Sequence, residues 1–512
     1  MKKHQLGAVV ISLLLMVSAC AAGSNPTPAA GGATTAKAIK APMPEIPAGL
    51  ESFYKQRVVW SECGKNLECG KFMVPLDYKN PTSATIAIAA KKHKAKGKAI
   101  GSLLVNPGGP GASGQEMAEG AADYFSPDIL ANFDIIGFDP RGVDKSAPVD
   151  CLADKDLAQV VDASYPDTAE GRAAARVDAD KVVAGCQEKS GNLLPFVGTE
   201  SAARDMDVLR HVLGDPQLYY VGYSYGTSLG GMYAELFPKN VGRMVLDGAV
   251  SSQVSSFQQT VAQLQGFEKA LDAYLDDCLD GSSCPFTGSK EQARAQIKQL
   301  FADTLQKPLP TASEGRQLTQ SALFIGMITP LYDDTLWPLL TQAFQEAFTK
   351  QRGTLFLTMA DTYYSRTGNT FQDNSVEANW AINCADYPAQ GDDAQWQAEA
   401  AELKEKAPIF GEVAGYDEYM CAKWPYKAPA PIGPFRAEGS NPIVVVGTTG
   451  DPATPYQWAV DFSKTLANAV LITWEGEGHT AYGRSTDCVN KPIDKYLLDG
   501  TVPEADLKCP AE

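Results

Sequence analysis

A serine set between two glycines, Gly222-Tyr223-Ser224-Tyr225-Gly226, is the pattern in this chain with the clearest chemistry. The apolar run Leu218-Tyr219-Tyr220-Val221 leads into it, and a small-residue stretch, residues 227–237, leads out. Strand, sharp turn and helix in that order make a nucleophile elbow. Small flanking residues let the turn close, and the serine hydroxyl stands above the sheet. That hydroxyl is a poor nucleophile until a neighbouring base takes its proton, and histidine suits the task near neutral pH. The chain has only four histidines. His4 lies in a leader, His93 in the basic stretch 91–98, and His211 in a helix-like segment ahead of the nucleophile strand. An elbow serine needs its acid and then its base later in the chain. Only His479 lies after Ser224, in a glycine-rich loop behind the apolar strand Val470-Leu471-Ile472-Thr473.

The acid should sit between them. Pro442-Ile443-Val444-Val445-Val446 reads as a buried strand that runs into Gly447-Thr448-Thr449-Gly450-Asp451. Asp451 is thus at a strand's carboxyl end, 28 residues before His479. A carboxylate there accepts the imidazole N–H, fixes the tautomer and stabilises the imidazolium. Asp247, at the end of Met244-Val245-Leu246, is the rival. Asp451 is preferred because it matches the acid-then-histidine strand pairing near the C-terminus. Thr454 reads first as a cap of the following helix. An oxyanion hole needs preorganised N–H donors. One is expected from Tyr225, the other from the loop after an early strand. The strand at 100–105 runs into Asn106-Pro107-Gly108-Gly109-Pro110-Gly111. Gly109 is the candidate second donor, with Gly108 behind it. The Lys-Ser/Thr ending of a phosphate-binding loop is absent there.

Further pieces accompany this triad: Trp60 with Cys63, Val74-Pro75-Leu76-Asp77-Tyr78, Phe138-Asp139-Pro140-Arg141-Gly142 and Ala381-Ile382-Asn383-Cys384-Ala385-Asp386. With them the chain resembles the secreted actinobacterial tripeptidyl aminopeptidases, within the proline-iminopeptidase-like serine peptidases, over about residues 58–490. The resemblance implies an α/β-hydrolase fold and an exopeptidase that releases short peptides, often tripeptides, from free N-termini. It implies peptide substrates and no cofactor. An esterase or lipase on the same triad is the alternative reading.

The elements that must position these residues fall into three blocks. Residues 48–250 alternate strand-like and helix-like segments, which argues for a mostly parallel sheet covered on both faces. Residues 251–435 show helical apolar spacing at 258–279, 290–305, 336–348 and 395–406. Residues 436–512 return to alternation and carry Asp451 and His479. The fold expected is α/β, with a large, mainly helical cap inserted between nucleophile and acid. A cap suits an exopeptidase because it closes the channel beyond the substrate's N-terminus and supplies an acid for the ammonium. Asp386 is the candidate, with Glu377 second. Tyr332, Trp337 and Phe344 could line the pocket or fill the cap's core.

Composition sets the surroundings. The net charge of −17 becomes −19 once Lys2 and Lys3 leave with the leader. That balance argues against nucleic acid as a partner, since phosphate contacts need clustered Lys and Arg. The stretch 91–98 reads as a solvated hairpin end. Residues 1–19 read as a signal peptide, too short in its apolar part to span a membrane. Val17-Ser18-Ala19-Cys20 resembles a lipobox, which implies cleavage before Cys20 and lipid on its thiol. Residues 20–47, rich in Ala, Gly, Pro and Thr, read as a flexible tether. The enzyme is then expected outside the cell, held to the membrane only by its lipid, as a monomer. Ten cysteines remain after Cys20. They allow about 945 pairings, so connectivity is open. Local spacing suggests Cys63 with Cys69, Cys151 with Cys186, Cys278 with Cys284, Cys384 with Cys421, and Cys488 with Cys509. No metal site is expected, because Cys-x-x-Cys pairs with nearby histidines are missing.

Overall fold

The computed structural model describes residues 36–251, 253–416, 418–426 and 432–511. The leader, Cys20, much of the tether and part of the proline-rich run at 424–434 lie outside them. Among the described residues, one sheet holds ten strands. They are β1 (Ser61–Gly64), β2 (Leu67–Pro75), β3 (Thr85–His93), β4 (Ser102–Asn106), β5 (Asp134–Phe138), β6 (Leu218–Tyr223), β7 (Val241–Asp247), β8 (Ile443–Gly450), β9 (Ala469–Glu477) and β10 (Leu507–Pro510). Their spatial order is β1-β2-β3-β5-β4-β6-β7-β8-β9-β10. The pairs β1–β2, β2–β3 and β3–β5 are antiparallel, and from β5 to β10 every pair is parallel.

The sequence dictates this burial. β4, β6 and β7 are buried at every residue, as parallel strands sandwiched by helices must be. Their side chains alternate between faces. Leu104, Tyr220 and Leu246 join one apolar cluster, while Leu103, Val105, Tyr219, Val221 and Val245 join the other. The helices that matter on the nucleophile side are α1 (Gly114–Glu119), α2 (Asp154–Asp162), α3 (Ala169–Ser190), α4 (Thr199–Leu213) and α5 (Tyr225–Leu236).

Between β7 and β8 come α6 (Ser256–Asp280), α7 (Lys290–Gln306), α8 (Gln320–Ile328), α9 (Trp337–Lys350), α10 (Thr354–Tyr363), α11 (Ser375–Asp386) and α12 (Asp393–Lys406). α6 and α7 open with Ser-x-x-Gln capping boxes at Ser255 and Ser289, which satisfy their first amides. The segment has its own apolar core, with Leu271, Tyr274, Phe301, Leu323, Phe344 and Phe356 fully buried. After β8 come α13 (Tyr456–Thr465) and α14 (Asp487–Asp499).

Several expectations need correction. Helices α8, α10 and α11 were not anticipated. α8 is apolar nearly all round, so it shows no stripe, and α11 buries the polar Glu377 and Asp386. The basic stretch at 91–98 is not simply a solvated turn. β3 runs on through His93 between β2 and β5, and Lys92 and Lys91 ion-pair with Glu68 and Glu119. Disulfides join Cys63–Cys69, Cys151–Cys186, Cys278–Cys284, Cys384–Cys421 and Cys488–Cys509.

Candidate active site

Parallel sheets present their sites at the strands' carboxyl ends. Register aligns those ends here: Asn106 lies beside Gly222, Tyr223 beside Asp247, and Asp247 beside Val446. Ser224 comes one residue beyond β6, Asp451 one beyond β8 and His479 two beyond β9.

The elbow is built as its glycines require. Ser224 has φ 55° and ψ −126°, in the left-handed half of backbone space that a non-glycine residue adopts only under constraint. Its N–H donates to the Asp247 carbonyl at 2.8 Å. A Cβ on Gly222 would stand 2.3 Å from the Gly226 carbonyl oxygen, so the turn closes only around glycine. Tyr225 opens α5, and a first-turn amide has no acceptor within its own helix. Facing it is the loop after β4. The Gly108 N–H donates to Asn106 Oδ1 at 3.0 Å, while Gly109 lines the cavity with Ser224. A Cβ on Gly108 would lie 2.8 Å from Ser224 Cβ, so the loop backbone rests directly on the elbow.

His479 Nδ1 lies 2.9 Å from both Asp451 oxygens. Asp451 is buried and also accepts from the amides of Ala453, Thr454 and Thr480. Thr454 does more than cap. Its hydroxyl donates to Asp451 Oδ2 at 2.8 Å and stands 3.2 Å from His479 Nδ1. Tyr332 contributes its carbonyl to the His479 N–H at 2.8 Å and packs its ring edge-on to the imidazole, 5.4 Å between centroids. Asp247 does not pair with the imidazole. Its Oδ2 accepts from the amides of Ala481 and Tyr482, at 2.9 and 2.7 Å, in the histidine loop. Burial pushes its carboxyl up to about 6.

Ser224, His479 and Gly109 line one cavity of about 740 Å³. Tyr332, Phe324, Tyr363 and Trp380 wall it from the insertion. α3 walls it too, through Arg172 and Arg176, whose guanidinium groups lie over Tyr416 and Tyr419. The segment assigned from sequence to the core block therefore shares in enclosing the cavity. Among the expected pocket aromatics, Tyr332 faces the cavity. Phe344 is fully buried in the insertion's core, and Trp337 packs against that core.

The two acids proposed for the substrate ammonium are not on this cavity. Glu377 is buried and accepts the N–H groups of Cys151 and Leu152, at 3.0 and 2.8 Å. Asp386 is 3% exposed, with Oδ1 accepting from the Thr199 N–H and Oδ2 from the Thr199 hydroxyl. Sequence spacing could not reveal this: the two acids stand nine residues apart, about half a turn around α11, and each is taken up by a different segment of the sheet domain, Glu377 by Cys151 and Leu152 and Asp386 by Thr199. The carboxylates beside the oxyanion loop that do line the cavity are Glu116, in α1, and Asp373. Burial, then the charge of Asp373, raises the Glu116 carboxyl above its ordinary range. Among the described residues no cluster of His, Cys, Asp and Glu is arranged to hold a metal ion.

Residues 101–316 match the family model described as "alpha/beta hydrolase fold", and residues 407–509 match "TAP-like protein". The chain is 37% identical to "Serine protease Hip1" of Mycobacterium tuberculosis, over 86% of this chain and 87% of that one. It is 34% identical to "Carboxylesterase B" of the same organism, over 87% and 86%. A "Tripeptidyl aminopeptidase" of Streptomyces lividans is 29% identical over 88% and 86%.

Proposed function

The chain belongs to the TAP-like α/β-hydrolase family, and from that premise we propose that it is a serine exopeptidase releasing short peptides, tripeptides among them, from free N-termini. The carrying observation is the Asp451–His479 pair at 2.9 Å on the cavity that also holds the strained Ser224. In this reading Ser224 Oγ attacks the scissile carbonyl carbon while His479 Nε2 takes its proton. Asp451 keeps Nδ1 protonated and steadies the imidazolium, and Thr454 holds Asp451 in place. The amides of Tyr225 and Gly109 receive the developing oxyanion. Collapse expels the amine, which takes the proton from His479. Water, deprotonated by His479, then releases the peptide from Ser224. The substrate's ammonium would meet Glu116 and Asp373, in place of Asp386 and Glu377.

The similarity to a relative named carboxylesterase supports a second reading, an acyl hydrolase of esters on the same triad. One experiment separates them: a chromogenic tripeptide amide with a free amine, its N-acetylated twin and a simple ester, given to the soluble chain begun after Cys20. Cleavage of the free amide alone supports the exopeptidase. Equal cleavage of both amides, or of the ester only, removes it. Ser224→Ala should abolish turnover of every substrate with folding intact; a folded variant of full activity sinks the triad assignment.

A further inference from the structure

Asp386 does not line the cavity, yet both its oxygens are held by one residue, Thr199. Its Oδ1 accepts the Thr199 N–H at 2.8 Å and its Oδ2 the Thr199 hydroxyl at 2.5 Å. Thr199 Oγ1 in turn lies 2.5 Å from the Tyr225 phenol oxygen. All three side chains are buried. A closed chain of hydrogen bonds thus runs from the last residue of α11, through the first residue of α4, to the residue after Ser224.

We propose that Asp386 is a positioning residue for the oxyanion hole: acting through Thr199, it anchors the Tyr225 side chain and so fixes the direction of the Tyr225 N–H. The inference rests on the reading of Ser224 as the nucleophile. The physical argument starts from the elbow. Ser224 is held at φ 55° and ψ −126°, and that ψ, together with the φ of Tyr225, sets where the Tyr225 N–H points. An oxyanion donor works only when preorganised toward the developing charge. Holding Tyr225 at both ends, by its helix and by its phenol, removes the freedom to swing. A buried phenol needs a hydrogen-bond partner in any case. The carboxylate adds a two-point grip on Thr199, which fixes that residue's rotamer.

The same helix grips the other half of the hole. Asn379 Nδ2 donates to the Pro110 carbonyl at 3.1 Å, one residue beyond Gly109, and the Ser375 carbonyl stands 2.5 Å from where a Gly111 Cβ would be. α11 is itself tied down by Cys384–Cys421 and by Glu377 on the amides of Cys151 and Leu152. Burial raises the Asp386 carboxyl to about 7. Either protonation state closes the chain, with Thr199 donating to the carboxylate or accepting from the acid.

The test uses a p-nitrophenyl ester, so that it does not depend on the substrate's amine, and a fluorophosphonate that labels the nucleophile. Asp386→Ala and Tyr225→Phe should each lower kcat about tenfold with KM little changed, less than outright loss of an oxyanion donor. The double variant should be no worse than the poorer single one, because both break one chain. Asp386→Asn should recover most of the rate, since its amide accepts from Thr199 N and donates to Thr199 Oγ1. If Asp386→Ala does not fold, Thr199→Val with Tyr225→Phe makes the same cycle. Effects that multiply, or a folded Asp386→Ala with unchanged kcat, overturn the inference while wild-type Ser224 still takes the label. Wild-type protein that takes no label at Ser224 overturns the functional reading, and this inference with it.

Discussion

Two carboxylates at neighbouring strand ends, Asp451 and Asp247, show how environment divides one chemistry into different duties. Asp451 spends its oxygens on imidazole, hydroxyl and amides, so it stands as a hydrogen-bond acceptor beside His479. Asp247, at the equivalent end of the neighbouring strand, holds the histidine loop by two amides, and its Oδ1 is buried without a partner. Its folded carboxyl titrates near 6, above the unfolded value of about 3.9. The folded state therefore binds this proton more tightly than the unfolded one. The stability it contributes is full below about 4 and is lost as pH rises through 6. Asp247→Asn removes that dependence. Relative to wild type, the variant should gain about 1–3 kcal/mol in stability between pH 4 and pH 7. Denaturant unfolding at several pH values checks this, and a difference independent of pH refutes it.

Among the elements, α11 has the largest consequences, because it holds Pro110 and Thr199, beside the two proposed oxyanion donors, and itself lines the cavity. Cys384–Cys421 closes a 37-residue span from its last turn to the short helix Glu418–Lys423. In the chain-entropy model, a loop of that length stabilises by about 3–4 kcal/mol. The double variant Cys384→Ser, Cys421→Ser should lose about that much in chemical denaturation. It should also lose esterase kcat before it loses secondary structure, since the helix that aims the oxyanion donors is what loosens. A variant as stable and as active as wild type counts against both statements. α3 is the other wall, fastened at its base by Cys151–Cys186 and at its outer face by Arg172 with Asp167. The cavity is therefore enclosed by two insertions into the sheet, on either side of β6 and β7.

For the whole molecule, five disulfides fit an oxidising compartment, as secreted domains commonly use. Among the described residues no helix is long and apolar enough to cross a membrane. We propose that the enzyme is exported and held at the outer face of the membrane by lipid on Cys20. Cys20→Ser should then shift activity from the membrane fraction to the medium. A variant that stays with the membrane, fully active, counts against the anchor.

The elbow, the parallel sheet and the order of Ser224, Asp451 and His479 were legible in the sequence. Each depends on contacts local to one strand end: tight turns need Gly222 and Gly226, buried strands need continuous apolar runs, and chain order is linear by nature. The assignments of Asp386 and Glu377 failed for the opposite reason. Which face of α11 meets the cavity depends on how that helix packs between the loop after β4 and the start of α4, far away in sequence, and the acids expected to meet a substrate ammonium are taken up by Thr199, Cys151 and Leu152. α2 and α3 looked like sheet-covering helices because periodicity shows which side of a helix is apolar, not what lies opposite it. The sequence by itself determined that Ser224, Asp451 and His479 would meet at the strands' carboxyl ends. Only the tertiary structure decided which carboxylates face the cavity and which hold it in shape, because burial and hydrogen-bond partners arise between segments that the chain order keeps apart.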